Sequence, residues 1–187
     1  MKYLIVGLGN IGAEYMNTRH NIGFVVADAL TNELKGETSV EKLSIVSRVK
    51  YRGRTLIIIK PTTYMNLSGK AIKYWLEKEN IPIEKMVVIL DDIALPTGTL
   101  RMKPKGGDAG HNGLTDIIEK LGTNVFARLR IGIGNDFPQG RQADYVLGQW
   151  TVSEEKLMTP RVDIATEMIK SFITIGVNRT MTAFNNK

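Results

Sequence analysis

The sequence predicts an α/β fold, a single domain built on a twisted mixed β-sheet flanked by helices. Three observations lead there. Short β-branched runs alternate with segments of helical periodicity, one tight turn joins two neighbouring runs as a hairpin, and no linker, repeat or low-complexity stretch divides the 187 residues, so 1–187 reads as one domain. A chain of this length removes roughly 70% of its unfolded surface from water, and needs no staple to hold a core.

The elements follow in order. Lys2 to Val6 is apolar and closed by Gly7, a buried strand. Gly23 to Leu34 carries Val26, Ala27, Leu30 and Leu34 at helical spacing. Ser44 to Tyr51 alternates, Arg52-Gly53 supplies a turn, and Thr55 to Lys60 is β-branched up to Pro61, which together make the hairpin. Ser68 is placed as the cap of a helix whose stripe is Ala71, Ile72, Trp75 and Leu76. Lys85 to Leu90 is a second buried strand with Asp91-Asp92 at its carboxyl end, and Thr99 to Lys103 is strand-like. Gly106, Gly107, Gly110 and Gly113 make a flexible crossing to a helix over Leu114 to Leu121, and Arg128 to Ile133 returns as a strand. Gly134 to Gly148 is expected to be mobile from its Gly, Pro and Asp content. Thr151 and Glu154 form a capping box before an amphipathic stretch through Ile175, which Pro160 should interrupt or kink.

Composition narrows the chemistry. No run of about 18 apolar residues occurs, which excludes an ordinary membrane span. Met1 to Leu4 reads as the start of a strand and not as a secretory segment. With no cysteine there is no disulfide, no thiolate nucleophile and no cysteine-bound zinc, and a cytoplasmic setting is the simplest expectation. A formal charge of +6 and a pI near 9.5 favour a polyanionic partner.

Gly7-Leu8-Gly9-Asn10-Ile11-Gly12 satisfies G-x-G-x-x-G after a strand, the pattern of a dinucleotide loop. The rest of that motif is missing. An acid about twenty residues on should end the next strand and hold a ribose, whereas Asp28 and Glu33 fall inside a helical pattern and the next strand starts near Ser44. Ser68-Gly69-Lys70 likewise lacks the upstream glycine and following hydroxyl of a P-loop, and no G-x-S-x-G surrounds Ser68.

Polar side chains at the element edges carry more. The two histidines lie in Thr18-Arg19-His20-Asn21 and Gly110-His111-Asn112-Gly113. Asn10 follows one strand end, Asn66 another and Asp91 closes a third, which places them at the carboxyl edge of the sheet, where open α/β sheets bind ligands. A carboxylate that fixes a histidine tautomer suits proton abstraction, and asparagine amides hold a carbonyl or oxyanion without a metal. Two histidines with acids could instead hold a divalent ion, although no H-x-x-x-H or other ligand spacing is present. Solvated loop histidines are the plain alternative for each taken singly.

Six stretches, "VGLGNIGAEYMNTRHNIGF", "KPTTYMNLSGKA", "DDIALPTGTLRMK", "GGDAGHNGLTDIIEKLG", "FARLRIGIG" and "DYVLGQW", stand in the order and spacing of one family. The chain resembles the bacterial-type peptidyl-tRNA hydrolases from end to end. The resemblance implies a cytoplasmic, monomeric esterase with no metal or other cofactor. Its substrate would be peptidyl-tRNA, met at the 3′ end and acceptor stem, and cleaved between the peptide and the terminal ribose. Carried across by position, His20 matches the general base, Asp91 the acid that holds it, and Asn10 the residue that senses a blocked amino group. Tyr15, Tyr64, Asn66 and Asn112 match contacts to the 3′ end and first peptide unit, with Met65 and His111 as cleft walls. Arg101, Lys103 and Arg130 correspond to a patch for backbone phosphates. Ala94 departs from the family, which usually has an acid there beside Asp91, and Ala109 stands where many members have glycine.

Two other classes compete. A non-catalytic RNA binder on the same scaffold would need the groove but not the set His20, Asp91, Asn10, Asn66 and Asn112. A nicotinamide oxidoreductase would need the missing ribose acid.

Overall fold

A computed structural model describes residues 1–187. In chain order the elements are β1 (Lys2–Gly7), α1 (Ile22–Glu33), β2 (Thr38–Glu41), β3 (Ser44–Tyr51), β4 (Arg54–Pro61), α2 (Ser68–Lys78), β5 (Met86–Asp92), β6 (Leu100–Lys103), α3 (Asn112–Leu121), β7 (Ala127–Gly132), α4 (Gln142–Val146), α5 (Val152–Ile175) and α6 (Val177–Phe184). The seven strands form one mixed sheet in the order β2-β3-β4-β1-β5-β7-β6. The centre, β4-β1-β5-β7, is parallel, and β3 and β6 run against it.

Alternation along the strands sorts the core into two layers. Ile5, Val87, Ile89, Leu129 and Ile131 face α1 and α5, where they meet Val26, Leu30, Met168 and Phe172. Leu4, Val6, Val88 and Leu90 face α2 and α3, where they meet Ile72, Trp75, Leu114 and Ile117. Strands buried on both faces read as continuous apolar runs, which is why β1, β4 and β5 are visible in the sequence.

Several expectations need correction. The strand before the hairpin, β2, is exposed and polar and carries no hydrophobic alternation to announce it. Ser68 does not cap α2: Leu67 holds that position, and the Ser68 hydroxyl donates to the Met65 carbonyl at 2.7 Å. Pro160 does not interrupt α5, which runs unbroken from Val152 to Ile175. The proline costs about 3 kcal/mol. Burial of Met158, Met168, Ile169 and Phe172 on the same helix offsets that, at about 1.5–3 kcal/mol per side chain. Gly134 to Gly148 holds a short helix, α4, which leaves the expected mobility untouched, and α6 adds a short amphipathic turn of helix after Gly176.

The opening glycines serve packing. A Cβ at Gly7 would lie 2.3 Å from the Gly23 carbonyl oxygen, one at Gly23 would lie 2.5 Å from the Ile89 oxygen and Leu8 nitrogen, and one at Gly9 would strike the Phe24 ring at 2.7 Å. Helix α1 therefore sits hard against the carboxyl ends of β1 and β5. That close approach carries the residues just before α1 to the end of β5.

Candidate active site

The 3-10 turn Arg19–Asn21 leads directly into α1, and His20 lies within it. Asp91, the sixth residue of β5, is 3% exposed. The His20 Nδ1 stands 2.8 Å from Asp91 Oδ2 and 3.0 Å from Oδ1. His111 reaches the same carboxylate from the start of α3, with Nε2 2.9 Å from Oδ1. A carboxylate only accepts, so both facing nitrogens carry hydrogen. His111 confirms this from its other side, because its Nδ1 accepts the N–H groups of Gly113 and Leu114 at 3.1 and 3.3 Å as the cap of α3. His111 thus carries its hydrogen on Nε2, whereas His20 donates through Nδ1 and its Nε2 is the ring nitrogen that Asp91 does not hold. Burial pushes the Asp91 carboxyl up, but the two imidazoles set against it, His111 and His20, outweigh that and hold the group well below the usual carboxylate range.

Asn10 is fixed from three directions. Its N–H donates to Asn21 Oδ1 at 2.8 Å, its carbonyl accepts from Asn21 Nδ2 at 3.0 Å, and its own Oδ1 accepts the Met65 N–H at 2.7 Å. The last bond orients the side chain and commits its oxygen, which leaves the Nδ2 hydrogens as donors. Asn21 was silent in the sequence. An asparagine directly after a candidate histidine was the signal available.

His20, Asp91, Asn10, Met65, Asn66, Asn112, Tyr15, Tyr64 and His111 line one cleft of about 820 Å³. At its mouth Tyr15 and Tyr64 meet edge to face, with ring centroids 6.4 Å apart. Tyr64 is 51% exposed and sits at φ 61°, a left-handed conformation costly for a bulky residue. Asn66 and Asn112 stand on the rim, exposed.

The cationic patch is built by strand register. Arg101 opposes Arg130 and Lys103 opposes Arg128 across the β6-β7 ladder, so all four project from one face. Lys103, Arg128 and Arg130 line the cleft, whereas Arg101 stands outside its lining and donates to the Leu100 carbonyl. Arg130 is paired with Asp92 at 2.6 Å. Arg128 has no carboxylate at all: it is buried, bonded to the carbonyls of Gly106, Gly107 and Asn124. Burial, with the like charge of Arg130, pulls its guanidinium down to about 10, and it remains a cation at neutral pH. Arg128 was absent from the sequence-based patch because it reads as one more strand residue.

Ala94 is exposed and its N–H donates to Asp92 Oδ1 at 2.7 Å, so Asp91 takes its support from the two histidines. Ala109 lies at φ 50°, a backbone conformation that favours glycine. His20, Asp91 and His111 also form a cluster whose ligand atoms lie within 4.8 Å of one another, although no ligand spacing announced it. Every atom between the three is engaged in the bonds above.

The family model described as Peptidyl-tRNA hydrolase matches residues 4–187. This chain belongs to the peptidyl-tRNA hydrolase family. It is 54% identical over 187 residues to the peptidyl-tRNA hydrolase of Parabacteroides distasonis, with all of both chains covered, and 54% identical to that of Bacteroides fragilis over the same span. Among solved structures it is similar to the peptidyl-tRNA hydrolase of Acinetobacter baumannii, at 35% identity and a TM-score of 0.92, covering 98% of this chain and 94% of that one. The family consists of hydrolases, and the seven-stranded α/β fold is the one these relatives share. No helix is long and apolar enough to cross a membrane.

Proposed function

We propose that the chain hydrolyses the ester joining a peptide, or an N-blocked aminoacyl group, to the 3′-terminal ribose of tRNA, with His20 as general base. The observation that carries this is the Asp91 carboxylate set between two imidazoles: it holds His20 by Nδ1 and so leaves Nε2, in the neutral ring, as the nitrogen able to take a proton. A water between Nε2 and the ester carbonyl gives its proton to His20 as its oxygen attacks the carbonyl carbon. Asp91 stabilises the imidazolium so formed. An amide N–H receives the oxyanion. The tetrahedral species then breaks its bond to the ribose oxygen, which takes the proton back from His20. The lining contains no serine, threonine or cysteine, which supports direct attack by water over an acyl-enzyme.

Asn10 supplies the discrimination. Because the Met65 N–H holds its Oδ1 and so orients the amide, the Nδ2 hydrogens are the groups it offers to the substrate in this reading. A peptide carbonyl accepts from them. A free α-ammonium has nothing to accept with and meets donors face to face, so an unblocked aminoacyl ester is disfavoured. Tyr15 and Tyr64 offer a stacking platform for bases at the 3′ end, with Asn66 and Asn112 as polar contacts beside it. Lys103 and Arg130, with Arg101 further out, take backbone phosphates, and Arg128 adds a buried positive field beneath them. The mechanism uses no metal, consistent with the engagement of all three potential ligands with one another. The enzyme acts as a cytoplasmic monomer in this reading.

The test is release from N-acetylated and from unblocked aminoacyl-tRNA in the presence of a chelator. Cleavage of the blocked ester alone is the expected result. Equal cleavage of both would remove the role given to Asn10, and a requirement for added metal would overturn the mechanism.

A further inference from the structure

The residue before the proposed base points away from it and into a different set of bonds. The Arg19 side chain is 9% exposed, and its Nε and Nη2 fork onto Glu154 at 3.2 and 2.9 Å. Nη1 donates to the Tyr145 carbonyl at 2.9 Å, and the guanidinium lies 4.2 Å from the centroid of the Tyr145 ring. The Arg19 backbone N–H donates to the Gly148 carbonyl at 3.1 Å, and Gln149 Nε2 donates to the Met16 carbonyl at 3.1 Å. These bonds run from Met16 and the turn carrying His20 to α4, to the residues that follow it and to the start of α5.

Glu154 is itself fixed. Its carboxylate accepts the Thr151 N–H at 2.7 Å and so completes the capping box of α5, a helix rooted in the core by Met158, Ala165 and Met168. Helix α4 has no such root. None of its residues is buried, yet Gln142, Ala143 and Val146, with the following Leu147, line the cleft that holds His20. Apolar burial therefore contributes little to where this wall stands. A bidentate, stacked guanidinium at its carboxyl end supplies the order that packing does not, and a cation there also satisfies late helix carbonyls.

We propose that Arg19 is a positioning residue for the reaction: through Glu154 and Tyr145 it fixes the α4 wall relative to His20, and with it the contact that wall makes with the uncharged part of the substrate. The proposal rests on the reading of this cleft as the hydrolytic site. A wall touched equally by substrate and transition state changes KM and leaves kcat nearly alone. Lysine keeps the charge but loses the fork, and is no substitute at a bidentate site.

The experiment compares Arg19→Lys, Arg19→Met and Glu154→Gln with the parent. It reads steady-state constants on N-acetylaminoacyl-tRNA and amide hydrogen exchange over residues 142–148. The expected result is a KM raised about tenfold in both Arg19 variants, with kcat within about threefold. Exchange in α4 should be faster by about tenfold or more. Glu154→Gln retains an acceptor for the capping box and should show a smaller change of the same kind; it keeps the proposal testable if the Arg19 variants do not fold. Unchanged KM and unchanged exchange would overturn the clamp. So would a loss of kcat with KM and exchange unaltered, which would mean that Arg19 acts only through the His20 turn. Hydrolysis that survives His20→Ala in the parent background would instead defeat the reading of the site, and the exchange data would still decide whether Arg19 holds α4.

Discussion

His20 and α4 border the same cleft, yet they are held there by different means. The imidazole is seated by a helix pressed against the sheet without room for a Cβ at Gly7 or Gly23, and its tautomer is set by a carboxylate inside β5. The wall is a five-residue helix with nothing buried, tied down by polar bonds: those from Arg19, and one from the Tyr145 hydroxyl to the Ile133 carbonyl. Tight apolar packing fixes atoms to within a few tenths of an ångström, and proton transfer needs that precision. Accommodating a variable acyl chain does not. On the proposed function, the chemistry falls to the rigid part of the molecule and a share of substrate binding to the part that polar tethers hold.

The comparison is broken most severely at the base itself. His20→Ala should lose at least about 10²- to 10⁴-fold in turnover with the fold intact by circular dichroism. Full activity in that variant would leave the centre without its function. Asp91→Asn should cost about 10²-fold or more in kcat, because an amide can present a donor where two N–H groups need an acceptor. The same substitution has a signature in acid. The Asp91 carboxyl lies below its unfolded value near 3.9, so its ionised form stabilises the fold above that pH, and the contribution is lost as pH falls through the lower folded value. Urea titrations from about pH 5 down to about pH 2 should show the parent losing stability faster than Asp91→Asn; parallel profiles would mean that the histidines do not bind the carboxylate.

Smaller effects sharpen the contrast. Gly23→Ala forces a Cβ to within 2.5 Å of backbone atoms of Ile89 and Leu8, and should destabilise by about 1–3 kcal/mol while displacing His20 and lowering kcat. A variant as stable and active as the parent would show that the helix has slack. Ala109→Gly should stabilise by about 0.5–1 kcal/mol through relief of a positive φ, with kinetics unchanged, as thermal melts would show.

Much of the centre was legible because each of its residues sits at a boundary that local pattern marks. Asp91 ends an apolar run, Asn10 follows a glycine-closed strand, and His20 precedes the first helical stripe, so topology alone brings them to one edge. Gly7, one of the two glycines that make the meeting possible, reads in the sequence as part of a nucleotide loop, since G-x-G-x-x-G reports only that backbone needs space and not what fills it. His111 lines the cleft, as the resemblance implies, but its second role as the cap of α3 is hidden when the helix is read from Leu114; its start at Asn112 makes the histidine the cap. The hold on α4 had no local signal. Arg19 lies 135 residues from Glu154 and 126 from Tyr145, and pairing across such distances is decided by tertiary packing. The same holds for Arg128, whose uncompensated burial follows from the loop folded over it.

The central claim is that Asp91 takes one hydrogen from each of two rings and thereby leaves His20 Nε2 free to act. Long-range ¹H–¹⁵N correlation spectra of the two imidazoles at neutral pH test it directly, since the chain has only these two histidines. The account predicts His20 with its hydrogen on Nδ1 and His111 with its hydrogen on Nε2, both perturbed in Asp91→Asn. A His20 carrying its hydrogen on Nε2 would have no lone pair to offer a water in the cleft, and would contradict it.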